Sequence, residues 1–198
     1  MRLNEMENDR LYKAINSIVE IPKTLWESAS LDLCICHYKK NEHILSAGEV
    51  GEFTYFILQG VIRLFYTCEK GREYVRSFGV EDDMCGSFYS SLTQTPCRFG
   101  IQALEQTRVI RARFHDFTKL FDRDIRWERL GRVLAEQHFI LKEQREAALL
   151  LDDAETRYRQ FLKEYPGLDK RIAQYHIASY IGVTPVTLSR VRKKMGIH

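Results

Sequence analysis

Glycines at Gly48, Gly60, Gly71 and Gly86 cut the stretch from Leu33 to Arg113 into short runs rich in Val, Ile, Phe and Tyr. Runs of that length, repeating about every dozen residues, fit strands of a β-sandwich or barrel better than helices. The clearest expected hairpin joins Thr54–Leu58 to Val61–Thr67 through a turn at Gln59–Gly60, and Lys70–Gly71 turns the chain into Glu73–Phe78. A further pair, Arg98–Leu104 and Thr107–Ala112, is expected to close the β region. Helical spacing flanks it. Leu11, Ala14, Ile15, Ile18 and Val19 share one face before Pro22, and a short second helix is expected over Lys23 to Leu31.

Beyond Arg113 the period changes. Asp124 to Leu151 has no proline and one glycine, Gly131, and as a helix would span about 42 Å. Trp127, Leu134, Leu141 and Ala148 recur every seven residues, with Leu130, Gln137, Gln144 and Leu151 in the complementary row. Such a seam serves either packing on the chain's own barrel or pairing with a second copy; the length and the seam together favour a dimerisation helix carried by Trp127, Leu130, Leu134, Gln137 and Leu141. Asp152 and Asp153 offer N-cap chemistry to a helix bearing Tyr158, Phe161 and Leu162, which Pro166–Gly167 ends.

The last thirty residues carry the most specific pattern. Ile172–Ile181 reads as a helix, with Gly182 where a left-handed residue closes it. Thr184 is then an N-cap and Pro185 a first helical residue, and Val186 to Met195 forms a second helix with Leu188 and Val191 turned inward. A solvated αα-hairpin would look similar, but the spacing Ala178-x₃-Gly182-x₄-Thr187-x₂-Arg190 favours a DNA-binding helix-turn-helix. From Asp169 onward six cations (Lys170, Arg171, Arg190, Arg192, Lys193, Lys194) face the single acid Asp169, although the whole chain carries a net charge of only +3. A basic tail of this kind suits a polyanionic partner. Ser189 and Arg190 are expected to reach base edges, and Arg192, Lys193 and Lys194 to neutralise phosphates.

With 44% apolar and 29% charged residues the chain is far from disordered or fibrous composition. It has no run of eighteen apolar residues, and Met1 to Arg10 lacks a signal-peptide core, so a cytoplasmic protein without a membrane span is expected. Five cysteines (Cys34, Cys36, Cys68, Cys85, Cys97) lack disulfide-framework spacing and suit a reducing compartment.

Taken together, Gly48-Glu49, Tyr55-Phe56-Ile57-Leu58-Gln59-Gly60, Lys70-Gly71-Arg72-Glu73, Cys85-Gly86-Ser87 through Thr95-Pro96-Cys97-Arg98, and Gln174-Tyr175-His176-Ile177-Ala178 through Thr184-Pro185-Val186-Thr187-Leu188-Ser189-Arg190 resemble bacterial transcription regulators of the Crp/Fnr family. The resemblance runs from about residue 10 to 195 and is carried by the motifs jointly. It implies an α+β chain: an N-terminal antiparallel β-roll of the cyclic-nucleotide-binding type (a double-stranded β-helix) with its helices over 1–122, a dimerisation helix over 123–151, and a helix-turn-helix domain over 152–198. It also implies a homodimer, double-stranded DNA and RNA polymerase as partners, and DNA contacts through Gln174, Thr184, Pro185, Val186, Thr187, Ser189, Arg190, Arg192, Lys193 and Lys194.

The effector pocket implied by the resemblance would include Gly86, Ser87, Phe88, Cys97 and Arg98. In cyclic-AMP-binding members glutamate follows the glycine and an arginine meets the cyclic phosphate. Here Ser87 follows Gly86, Cys97 stands at the arginine position, and Arg98 comes one residue late, which in a strand points it to the opposite face. Cyclic nucleotide is therefore not expected; some other small effector, or none, is, and no cofactor or metal is expected. In the reading helix Pro185 and Val186 replace the polar pair of the cyclic-AMP receptor, and no β wing is expected after Met195. Three rivals remain. Cys34 and Cys36 could serve iron–sulfur or redox sensing, though their spacing is not that of cluster ligands. A barrel metalloenzyme would need clustered histidines, and only His37, His43 and His115 are placed for it, so no enzyme is expected. A ligand-binding protein that does not bind DNA is the third.

Overall fold

The computed structural model describes residues 3–197. The elements, in chain order, are α1 (Glu5–Ile18), α2 (Lys23–Ser28), β1 (Cys34–Tyr38), β2 (His43–Leu45), β3 (Phe53–Gln59), β4 (Ile62–Thr67), β5 (Glu73–Gly79), β6 (Met84–Gly86), α3 (Phe88–Thr93), β7 (Phe99–Ala103), β8 (Thr107–Arg113), α4 (Phe114–Thr118), α5 (Ile125–Leu151), α6 (Ala154–Glu164), a 3₁₀ turn (Leu168–Lys170), α7 (Gln174–Tyr180) and α8 (Pro185–Lys194). Contacts divide them into two compact units, one of Met1–Leu64 with Phe78–Gln137, the other of Phe65–Ser77 with His138–His198. The long helix thus contributes to both.

Two four-stranded sheets form the roll, in the orders β1-β8-β3-β6 and β2-β7-β4-β5. This corrects two expected hairpins. β3 pairs with β6 and β8, not with β4, and β7 and β8 lie in different sheets. Except for β4 and β5, sequential strands step from one sheet to the other, so most turns lead across the roll and not back along the same sheet. Burial shows why: Tyr55 to Leu58 are all buried, as are Val61 to Phe65, because both faces of these strands are covered. Gly60 makes the crossing, with φ +103; a Cβ there would lie 2.4 Å from Thr107 Oγ1 and 2.8 Å from the Gln106 carbonyl oxygen. The β4–β5 connection is a hairpin as expected, closed by Cys68 N–H to Arg72 O (3.0 Å) and Gly71 N–H to Cys68 O (2.9 Å).

The outer face of the first sheet presents Ile35, Phe56, Leu58 and Ile110 to Leu11 and Ile15 of α1, Trp26 of α2, and Trp127 and Leu130 of α5. The inner face holds Tyr55, Ile57 and Val109 against Leu45, Ile62, Leu64 and Ile101 of the second sheet. Trp127 and Leu130 are 0% exposed in this single chain, so the expectation that they form a seam with a second copy is corrected. Trp127 instead contacts the rings of Trp26 (6.1 Å) and Phe117 (6.3 Å). Leu134 is half-buried beside them, and apart from Ile125 at its start the exposed apolar groups of α5 lie further along: Phe139, Ile140, Leu141, Leu149, Leu150 and Leu151.

In the second unit Asp153 caps α6, accepting from Thr156 N–H at 2.8 Å. Tyr158, Phe161, Tyr165 and Tyr180 form one aromatic cluster with ring centres 5.6–6.1 Å apart. α7 is shorter than the sequence suggests, because Ala173 is extended (ψ 139) and the helix closes at Ile181.

Candidate nucleic-acid interface and effector pocket

The helix-turn-helix is built as its sequence implies. Gly182 has φ +73, and Val183 N–H reaches back to the Ala178 carbonyl at 2.9 Å. Thr184 caps α8, its Oγ1 accepting from Thr187 N–H at 3.2 Å, and Pro185 occupies the first turn. Leu188 points fully inward, and Val186, Ser189, Arg190 and Lys193 are exposed at helical spacing along the other side of α8. Gln174 and Tyr175 are exposed at the start of α7.

The four cations of α8 expected to meet DNA, Arg190 at base edges and Arg192, Lys193 and Lys194 at phosphates, separate into three kinds. Arg190 and Lys193 are exposed, without an ion-pair partner among the described residues. Lys194 is exposed but bound to Glu155 at 2.8 Å, which raises the lysine's pKa and lowers the carboxylate's through that hydrogen bond. Arg192 is only 8% exposed. Its Nη1 donates to the Tyr158 hydroxyl at 2.7 Å and lies 3.8 Å from Asp169 Oδ2. Arg192 is therefore not a surface phosphate contact but a buried tie between α8, α6 and the 3₁₀ turn.

Sequence reasoning missed the residues that hold this motif in place. Arg157 donates to the Ile181 carbonyl at 2.7 Å and to the Asp152 carbonyl at 2.5 Å. Arg145 donates to Tyr180 O (2.7 Å) and Val75 O (3.2 Å), with its guanidinium 4.0 Å from the centre of the Tyr180 ring. Ser179 Oγ accepts from Val75 N–H at 2.9 Å and donates to Glu73 O at 3.1 Å. The carbonyls ending α7 are thus capped by arginines from α5 and α6, and the first residues of β5 are bonded to α7. Only the surplus of arginines in α5 and α6 hinted at this.

In the expected effector pocket Ser87 and Cys97 are buried and bonded to each other, Cys97 Sγ to Ser87 Oγ at 3.1 Å. Cys97 is further held by its N–H to Glu49 O (2.7 Å), and Gly48 N–H reaches Cys97 O (2.8 Å). Arg98 is exposed, in a bend just before β7 and not in a strand as expected from the sequence, and Phe88 is an exposed ring packed edge-on against Phe114 at 5.5 Å. Gly86 pairs with Thr54 in the β3–β6 ladder. The structure therefore brings together Gly86, Ser87 and Cys97 but not Arg98. Cys34 and Cys36 lie on β1, and among the described residues no group of three His, Cys, Asp or Glu could hold a metal ion.

Residues 35–124 match the cyclic nucleotide-binding domain family. No curated protein matches the chain. Among solved structures it is similar to FixK2 from Bradyrhizobium japonicum (22% identity, TM-score 0.72, 84% of this chain and 85% of that one). It is also similar to a CooA variant from Carboxydothermus hydrogenoformans (19% identity, TM-score 0.62, 83% and 78%) and to the catabolite activator protein of Thermus thermophilus (21% identity, TM-score 0.51, 95% and 83%). The family match is thus confined to residues 35–124, and the chain as a whole shares the fold of these solved structures.

Proposed function

We propose that the chain is a homodimeric, DNA-binding transcriptional regulator of the Crp/Fnr type, without enzymatic activity and acting in the cytoplasm. In this reading residues 1–122 are the effector domain, 123–151 the dimerisation helix and 152–198 the DNA-binding domain. One observation carries it: Val186, Ser189, Arg190 and Lys193 form a solvent-facing stripe on a capped helix whose opposite side is locked down by Leu188 and Arg192. A helix presented in that way fits the major groove, with Arg190 donating to guanine, Val186 against a thymine methyl, Gln174, Thr184 and Thr187 near the backbone, and Lys193 on a phosphate. Lys194 reaches a phosphate only by giving up Glu155. Support for the dimer comes from the exposed apolar groups on the second half of α5, Phe139 to Leu151. The effector is not a cyclic nucleotide, since Cys97 and Ser87 satisfy one another where a phosphate would need a cation. The test is selection of genomic fragments by the purified protein, followed by an electrophoretic shift. Retention of discrete sites supports the reading; indifference to every duplex at low ionic strength overturns it. Micromolar calorimetric binding of cyclic AMP or cyclic GMP would overturn the effector statement.

A further inference from the structure

Strand register on the first sheet aligns Cys34, Arg111, Tyr55 and Cys85 in one row across β1, β8, β3 and β6. The neighbouring row, Ile35, Ile110, Phe56 and Met84, faces the helices. Alternation then puts Arg111 on the inner face of the roll, where Tyr55 is core and Cys36, Tyr38, Phe53 and Cys85 pack around it. The Arg111 guanidinium lies 4.3 Å from the centre of the Phe53 ring. Arg113, the other cation at this ring, pairs with Glu52 at 4.0 Å. Arg111 is half-buried and has neither a carboxylate nor a hydrogen-bond partner among the described residues. With one face on the Phe53 ring and no carboxylate at its edge, this half-buried guanidinium keeps its donors available to an anion. Burial pushes the Tyr38 hydroxyl up to about 12 and the Tyr55 hydroxyl higher still, so both remain protonated donors at neutral pH.

We propose that Arg111 is the anion-binding residue of the roll, and that the effector is an organic acid held by its carboxylate, with its apolar body against Phe53, Tyr38 and Tyr55. This rests on the effector role proposed for the β-roll. A planar carboxylate matches the guanidinium fork with two parallel hydrogen bonds, and the phenols supply further donors. Aromatic rings and thiols around the cation favour an apolar remainder over a sugar or a second charge.

Calorimetry and thermal melting of the full chain, without DNA, test this with benzoate and phenylacetate, with benzyl alcohol as the neutral counterpart, and with inorganic phosphate. The carboxylates are expected to bind and to raise Tm, benzyl alcohol to do neither, and Arg111→Met to weaken benzoate at least tenfold while the far-ultraviolet circular dichroism stays native. Tyr55→Phe, which keeps the ring, is expected to weaken benzoate several-fold and covers the case in which Arg111→Met does not fold. Equal binding by parent and variants, tighter binding of phosphate than of either acid, or no binding of either acid at millimolar concentration would overturn the proposal. Since no DNA is present, such a failure leaves the regulator reading intact, which stands or falls on the gel shift.

Discussion

Arg190, Arg192 and Lys193 are cations within four residues of one another, and the helical period gives each a different fate. Arg190 and Lys193 stand on the open side of α8, whereas Arg192 turns back toward Tyr158 and Asp169. Arg190→Ala is expected to relax base preference, costing about 1–3 kcal/mol on the selected site and much less on random DNA. Lys193→Ala is expected to weaken both evenly and to lower the salt slope by about one. Salt-dependent gel shifts on specific and random duplexes separate the two, and equal behaviour of both variants would contradict the division. Arg192→Ala leaves Asp169 and the Tyr158 hydroxyl unpaired, so the expected outcome is a stability loss of about 3 kcal/mol, read as a lowered urea midpoint. A variant that unfolds like the parent yet binds DNA weakly would restore Arg192 to the surface. The sequence told how many positive charges the tail carries. It could not tell which of them is buried, because that depends on Tyr158 and Asp169 arriving from other elements.

At the scale of elements, legibility followed the range of the interactions. Thr184, Pro185 and Gly182 act within a few residues, and their cap, first turn and left-handed closure were readable directly. Gly182→Ala would set a side chain at φ +73 with its Cβ 3.1 Å from Leu149 Cδ2, and is expected to cost about 1 kcal/mol in thermal or chemical unfolding. Strand pairing is non-local. The run Thr54–Thr67 looks like a hairpin because nothing within it reveals that β6, β7 and β8, arriving later, take the places beside β3 and β4. The α5 seam failed for a related reason: heptad spacing at Trp127 and Leu130 is equally good for packing on the chain's own sheet, and Trp26 and Phe117 claim that face. The start of α5 carries a pH signature. Asp124 bonds Arg126 through side chain and backbone, which holds its carboxyl at about 2. A depressed folded pKa gives stability that is present above the ordinary carboxylate value and is lost as pH falls toward 2. Asp124→Asn should therefore flatten the acid limb of the unfolding curve between those values, and an unchanged limb would count against the contact.

For the whole molecule, the proposed activity needs two copies of α8 held at a fixed spacing, and the exposed end of α5 is the element able to supply it. Leu151 is 83% exposed in one chain, and Phe139, Ile140 and Leu150 stand in water nearby. An apolar stretch of this extent on a single helix marks an interaction surface. Pairing the helices of two copies around a twofold axis would place two reading helices about 34 Å apart, one turn of duplex, on the same face. Sites recovered by selection should then be inverted repeats with half-site centres about 10 base pairs apart, or a multiple of a turn. Ile140→Glu combined with Leu151→Glu puts charges into the covered surface and is expected to yield a monomer in sedimentation. That monomer should bind a single half-site and lose the advantage of simultaneous engagement, which for linked modules is about a hundredfold or more. A variant that stays dimeric, or a parent that selects asymmetric sites with undiminished affinity, would show that α5 does not set the spacing. The apolar face would then have to meet some other surface, and the two-site geometry of DNA reading would fall with it.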